Sequence, residues 1–243
     1  MDILKLLLIA HLIGDFFLQP TSLVNNKKNS IKGLIIHTLV YTLIVLFILL
    51  LFGNIWEIIF WTALTFASHF VIDYLRIKAT KKWKNNTFSF WSFIVDQLMH
   101  LVMIVIISLV IKSNLNSIGI AICNITFLRD IYFNKVLDYC LAFLVVLTPA
   151  SVFIKHFFNY IFNNIEICDN NDSDNAGALI GMLERVVILL LGALGLYGSI
   201  ALVLTAKSLA RFKQLEDKNF AEKYLVGTLI SLIIAILALL IIK

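Results

Sequence analysis

The chain has 243 residues, a net charge of +5 and a mean hydropathy of +0.94, with 60% of residues hydrophobic and 14% charged. A soluble domain carries about 25% charged residues, so this composition cannot coat a water-soluble globule of the same size. The basic balance, which in a soluble protein would suggest nucleic acid, is assigned to loops that orient membrane helices.

In chain order, the first apolar segment covers roughly 3–19 and stops at Pro20. Lys5 before an apolar run resembles a signal peptide, but His11 and Asp15 interrupt the run and no small-x-small cleavage site follows. The segment is therefore read as a retained first helix. A polar loop from Thr21 to Lys32 carries Lys27, Lys28 and Lys32. The second segment runs over about 31–52, and a turn at Gly53-Asn54 leads into the third, 55–78. A basic loop follows with Arg76, Lys78, Lys81, Lys82 and Lys84, and the fourth segment covers 88–111.

Residues 113–135 are mixed, 137–157 are apolar but contain Pro149, and 159–175 read as an Asn- and Asp-rich surface loop. A fifth segment spans 178–206, a basic stretch carries Lys207, Arg211 and Lys213, and the last segment is 220–242. At about 1.5 Å per residue, runs of this length cross a hydrocarbon core of roughly 30 Å. If loops 20–32, 76–87 and 207–219 are all cytoplasmic, six spans result, with both termini outside. Residues 137–157 then fall short of a full crossing, or 113–135 supplies another; seven spans remains an alternative.

The expected fold is all-α: a polytopic helical membrane protein with an N-terminal four-helix bundle and a C-terminal helical hairpin. The expected organisation is a His/Asp bundle over 1–112, an irregular or interfacial part with one apolar helix over 113–176, and a hairpin over 177–243. Gly177 and Gly181 form a small-xxx-small pair that suits close helix approach. Cys123, Cys140 and Cys168 follow no C-x-x-C spacing; their odd number excludes a complete disulfide framework and leaves one bridge or buried thiols.

The chemistry sits in the polar residues of the first four segments. His11 precedes Asp15 by four, His69 precedes Asp73 by four, and Asp96 precedes His100 by four, while His37 stands in the second segment. Residues i and i+4 share a helix face. A carboxylate at mid-membrane costs about 2.5–3.5 kcal/mol on insertion scales, so these groups must meet one another, water or cations. In the six-span topology all seven lie one or two turns below the cytoplasmic surface. Imidazole and carboxylate donors without thiolate suit a divalent metal, zinc first, with manganese or iron as alternatives. Two metals could share the seven ligands. A metal-free hydrogen-bond or proton-relay network is the competing explanation. Asp15, Asp73 and Asp96 are also candidate catalytic groups. Gln19, Lys32, Arg76, Lys78 and Gln97 are candidate substrate contacts at the cytoplasmic mouth, the lysines and arginine for a lipid phosphate. Orientation signals and snorkelling explain the same cations.

The run His11-Leu-Ile-Gly-Asp15-Phe-Phe-Leu-Gln19-Pro20, with His37, His69-Phe-Val-Ile-Asp73 and Asp96-Gln97-Leu-Met-His100, resembles a bacterial and phage membrane family known as domain of unknown function 3307. The later pieces Gly181-Met-Leu-Glu184-Arg185, Ala206-Lys207-Ser-Leu-Ala-Arg211-Phe and Ala221-Glu222-Lys-Tyr224-Leu-Val-Gly227-Thr look like those of its longer members. The resemblance implies a multi-pass protein of the bacterial inner membrane but no activity. More loosely, the layout is similar to membrane-bound metal-dependent hydrolases, a fold-level analogy.

Three functions therefore compete. The first is a metal-dependent hydrolase acting on a lipid-linked or phosphate-bearing substrate. The second is a transporter or channel passing ions or protons through the same residues. The third is a scaffold whose polar network specifies packing among membrane lipids. There is no Gly-rich phosphate loop, Ser nucleophile elbow or nucleic-acid motif.

Overall fold

The structure is a computed structural model that describes residues 2–111, 115–125, 131–162 and 172–242, with side chains left aside at Thr21, 122–125, 131–132 and 172–176. Its elements are α1 (Ile3–Leu12), a π-helical turn (Ile13–Phe17), α2 (Thr21–Asn29), α3 (Ile31–Leu49), α4 (Ile55–Lys82), α5 (Asn86–Val110), α6 (Ser117–Ile125), α7 (Ile131–Val146), α8 (Thr148–Ile161), α9 (Asp172–Ala193), α10 (Tyr197–Ala210) and α11 (Lys218–Ile242), with a short 3₁₀ turn at Phe212–Glu216. No strand occurs among the described residues. Five stretches are long and apolar enough to cross a membrane: Ile31–Leu49, Ile55–Lys82, Asn86–Val110, Phe133–Ile161 and Lys218–Ile242. A sixth crossing arises if Ile3–Phe17 and Ser22–Asn29, bent by 87°, count as one broken span. The chain is an all-α membrane protein.

The chain divides into two compact units, Met1–Leu141 and Ala142–Lys243. In the first, side-chain caps set the helix starts. Asp2 accepts from the Leu4 amide (3.1 Å), and Ser30 Oγ accepts from the Gly33 amide (3.0 Å). Asn54 accepts from the amides of Trp56 and Glu57 while Glu57 accepts from the Asn54 amide, a capping box at the start of α4. The apolar core of this unit gathers Leu7 and Ala10 of α1, Val45 and Leu49 of α3, Trp61 of α4, and Ile104 and Ile107 of α5. Leu43, Phe47, Trp56 and Leu109 point outward from the same helices, as lipid-facing positions of membrane helices must. Lys5 of α1 pairs with Asp138 of α7 at 2.5 Å.

The second unit packs Ala142 and Val146 with Leu189 of α9 and Ala238 and Leu239 of α11. Its organising polar group is Arg185, which is 2% exposed. Its Nε donates to the Val146 carbonyl (2.6 Å), Nη2 to the Leu147 carbonyl (3.3 Å) and Ser151 Oγ (2.6 Å), and Nη1 to Ser231 Oγ (3.3 Å). These carbonyls lie where α7 gives way to α8 at Leu147, one turn ahead of a helix opened by Pro149. The last carbonyls of a helix lack intrahelical partners, and the guanidinium serves that of Val146, at the end of α7, while the Leu147 carbonyl also accepts from the Ser151 amide (3.3 Å) and hydroxyl (3.1 Å). The adjacent Glu184 is engaged by Lys207 Nζ at 2.6 Å.

Several sequence expectations change. The loop expected from Thr21 to Lys32 is largely helix, because α2 folds back onto α3. Gly33 permits that approach, since a Cβ there would collide with the Asn26 carbonyl. The basic loop expected from residue 76 begins later, because α4 continues to Lys82. Residues 137–157, expected either to fall short of a crossing or to be joined by a further one over 113–135, lie within the span-length stretch Phe133–Ile161. The segment expected over 178–206 is broken between α9 and α10, where Gly195 has φ 75°. That conformation favours glycine, and a uniformly apolar run hides the break. Gly177 meets nothing within 4 Å and Gly181 meets only Arg185; the close approach is instead Gly192, where a Cβ would strike Leu239. Cys140 is exposed and free rather than buried. The side chains of Cys123 and Cys168, and residues 163–171 of the expected surface loop, lie outside the described set.

Candidate functional site

Seven polar side chains from four helices converge inside the first unit. His11 ends α1, and Asp15 sits in the π-helical turn, which is closed by the Leu18 amide donating to the Ile13 carbonyl at 2.8 Å. This i+5 bond admits one extra residue, a feature frequent at functional sites. Gly14 in the turn faces Tyr41 of α3, where a Cβ would lie 2.7 Å from the ring. Tyr41 in turn stacks on His69 at 3.9 Å between centroids, and His69 stacks on His100 at 4.4 Å. The imidazoles are thus held by a column of rings.

The donor atoms meet at one point. His37 Nε2 and His69 Nε2 are 3.1 Å apart. Asp15 Oδ1 lies 3.4 Å from the first and 3.5 Å from the second. Asp73 Oδ2 lies 3.4 Å from both nitrogens. Nitrogen and oxygen ligands bind zinc at about 2.0–2.1 Å, so tetrahedral ligands stand roughly 3.4 Å from each other. The Asp15–His37–His69 triangle has that size, and these three residues could hold a metal ion. A second group, His69, Asp73 and His100, could do the same and shares His69 with the first. His37 is 0%, His69 1% and Asp73 1% exposed. Asp15 Oδ1 and His100 Nε2 are buried without a hydrogen-bond partner among the described residues, which is costly unless something else satisfies them. The residues present therefore fit a divalent ion.

Around this centre lie its supports. His11 Nε2 meets Gln97 Oε1 at 3.2 Å, and His11 Nδ1 is 3.6 Å from Asp15 Oδ2. Asp96 Oδ2 accepts from Arg76 Nη1 (2.9 Å) and from Gln97 Nε2 (3.1 Å). His100 Nε2 stands 3.8 Å from Asp96 Oδ1 and 3.9 Å from Asp15 Oδ2. Lys27 of α2 places Nζ 2.6 Å from Asp73 Oδ2. With its carboxamide oriented to satisfy both atoms, Gln19 donates to the Asp15 carbonyl (2.9 Å) and accepts from Lys27 Nζ (3.3 Å).

All seven expected His and Asp residues are thus brought together, and Gln19, Arg76 and Gln97 join them. Lys32 and Lys78, expected at the mouth, are exposed, and neither contacts the cluster among the described residues. Lys27 takes that place. Nothing in the sequence separates it from Lys28 beside it; the only local signal is Gly33, which lets α2 fold back.

A family model for proteins of unknown function (DUF3307) matches residues 3–128. The chain belongs to this family. The matched stretch contains the whole His/Asp cluster and its partners Lys27, Arg76 and Gln97. No curated protein and no solved structure matches the chain.

Proposed function

We propose that this DUF3307 protein is a metal-dependent hydrolase of the bacterial inner membrane, acting on a phosphate-bearing or lipid-linked substrate. The supporting observation is the buried Asp15–His37–His69 triangle, whose 3.1–3.5 Å edges suit a single divalent ion, zinc first and manganese or iron next. The reading is mononuclear, because the two candidate ligand groups share His69. A bound divalent ion supplies Lewis acidity and lowers the pKa of water.

The chain's own residues supply the rest. Asp15, His37 and His69 bind the ion, and Asp73 can join them. The ring column of Tyr41, His69 and His100 orients the imidazoles. His100 Nε2, unpartnered and facing Asp15 and Asp96, is placed to take a proton. Asp96 holds Arg76 and Gln97 at the rim, and His11 anchors Gln97 from the other side.

Beyond His69 and His100 lies a cavity of about 10 Å³, room for roughly one water, bordered by Leu7, Val45, Ile104 and Ile107 and also by the hydroxyl-bearing residues Tyr41, Thr65 and Ser68.

The test is elemental analysis of the full-length protein purified in detergent and loaded with zinc, beside His69→Ala and Asp15→Asn. The expected result is one zinc per chain, lost in both variants. Absence of zinc from the loaded wild type overturns the proposal and leaves a relay or scaffold. If zinc binds, release of phosphate from lipid phosphate esters supports hydrolysis, while zinc flux into liposomes without hydrolysis supports transport.

A further inference from the structure

We infer that Lys27 and Arg76 form a receiving site for a phosphate-type oxyanion, and that this site accepts its ligand only when the His/Asp cluster holds a divalent cation. The inference rests on the metal reading above.

Position comes first. The side chains of Lys27 and Arg76 are 11% and 25% exposed, while those of Asp73 and Asp96, which they contact, are each 2% exposed. The two cations therefore cover the carboxylates on the solvent side. They arrive from different elements, Lys27 from the folded-back α2 and Arg76 from α4. A ligand entering from solvent meets them before it meets the imidazoles. Gln97 and Gln19 lie beside them with amide groups that can donate to oxygen. A guanidinium fork, an ammonium and amide donors are the groups that recognise phosphate.

Charge decides when that recognition operates. The cluster holds three carboxylates, Asp15, Asp73 and Asp96, against two cations, Lys27 and Arg76. With neutral imidazoles the site carries one net negative charge, and Lys27 and Arg76 are committed to Asp73 and Asp96. An anion is repelled. A divalent ion among the same side chains reverses the sign to one net positive charge. Asp73 Oδ2 then has a second cation to serve, since it lies 3.4 Å from both His37 Nε2 and His69 Nε2, and its hold on Lys27 weakens. The ammonium and guanidinium become available to oxygen atoms of the ligand. Cation and anion therefore bind with positive coupling, and the coupling is reciprocal.

The ligand chemistry is a tetrahedral oxyanion, either free phosphate or the phosphate of a lipid headgroup. The exposed apolar side chains Phe17 and Leu18, adjacent to Gln19, are placed to meet an acyl chain in the second case.

The experiment uses the full chain in detergent, with zinc content measured first so that failure of the metal reading is seen separately. Zinc-loaded protein freed of excess zinc, and protein stripped by chelator, are each titrated calorimetrically with inorganic phosphate and, in a second arm, with short-chain phosphatidic acid. The expected result is at least tenfold tighter phosphate binding by the zinc-loaded chain. Lys27→Gln and Arg76→Gln should each weaken that binding at least tenfold while keeping one zinc per chain, and Lys27→Arg should retain most of it. Binding of phosphatidic acid alone, with the same dependence on Lys27 and Arg76, assigns the ligand to lipid and supports the inference. Equal phosphate binding with and without zinc overturns it, as does unchanged binding in zinc-loaded Lys27→Gln and Arg76→Gln. Absence of zinc from the wild type overturns this inference together with the metal reading.

Discussion

Lys27 Nζ and Asp73 Oδ2 lie 2.6 Å apart, joining a short helix that begins at Thr21 to the middle of the long helix Ile55–Lys82. The contact converts an apparently ordinary loop lysine into part of a buried charged cluster. It depends on α2 lying flat on α3, and so on Gly33.

Substitution of Gly33 should therefore reach the site without touching it. In Gly33→Val, the new side chain collides with the Asn26 carbonyl, backbone that cannot swing aside. Overpacking of this kind costs about 1–3 kcal/mol. The expected outcome is a lower unfolding temperature in detergent together with weaker Lys27-dependent phosphate binding. Wild-type stability in this variant would show that α2 is not seated as described.

Zinc should stabilise the protein through Asp15. A ligand that binds only the folded state at 100 times its dissociation constant adds about 2.7 kcal/mol. A thermal shift with zinc is expected for the wild type and should vanish in Asp15→Ala. A shift of equal size in that variant would move the ion away from the Asp15–His37–His69 triangle.

Arg185 should matter to stability in the second unit. Arg185→Leu removes four donated hydrogen bonds and leaves the Val146 carbonyl without that donor in an apolar surrounding, while the Leu147 carbonyl keeps the Ser151 amide and hydroxyl. Buried polar groups left unmatched cost about 1–3 kcal/mol each. Losing the buried cation offsets part of this, so a net loss of about 1–2 kcal/mol is expected by reversible unfolding. Arg185→Lys should fall between the two, because an ammonium cannot span acceptors placed for a guanidinium fork. An Arg185→Leu protein as stable as wild type would remove this role.

Asn54→Ala tests the local rule at the start of α4. The change deletes both side-chain bonds to the first-turn amides and should cost about 1 kcal/mol. Zinc stoichiometry should be unaffected, since His69 and Asp73 lie several turns further along. Loss of zinc in this variant would mean that the cap controls the position of the whole helix.

The His/Asp layout was legible because ionisable residues in apolar helices must find partners, and a spacing of four puts them on one face. His11, Asp15, His69, Asp73, Asp96 and His100 all obeyed that constraint. Lys27 was hidden because its role comes from a long-range fold-back whose only mark is a glycine. The break at Gly195 was hidden for a different reason. Hydropathy measures how apolar a run is, and Leu194-Gly195-Leu196 is apolar on both sides of a change in direction. Residues 137–157 misled in the opposite sense. Pro149 does mark a break, standing in the first turn of α8 just after α7 ends at Val146, a position that needs no amide donor, yet the two helices together form a stretch long and apolar enough to cross. The metal triangle itself was not legible, because shared level does not specify which of seven side chains meet at a point.

The extra residue wound into the turn Ile13–Phe17 makes the length of this stretch as constrained as its chemistry. Each α-helical residue advances the chain by about 100° around the axis. Deleting Gly14 would let the turn relax to ordinary pitch while keeping every His and Asp, yet it would place Asp15 three residues after His11 instead of four and so turn it about the axis relative to His11. Asp15 could then no longer face His37 and His69 while His11 faces Gln97. Protein engineers trimming or grafting this helix should count residues before they compare letters.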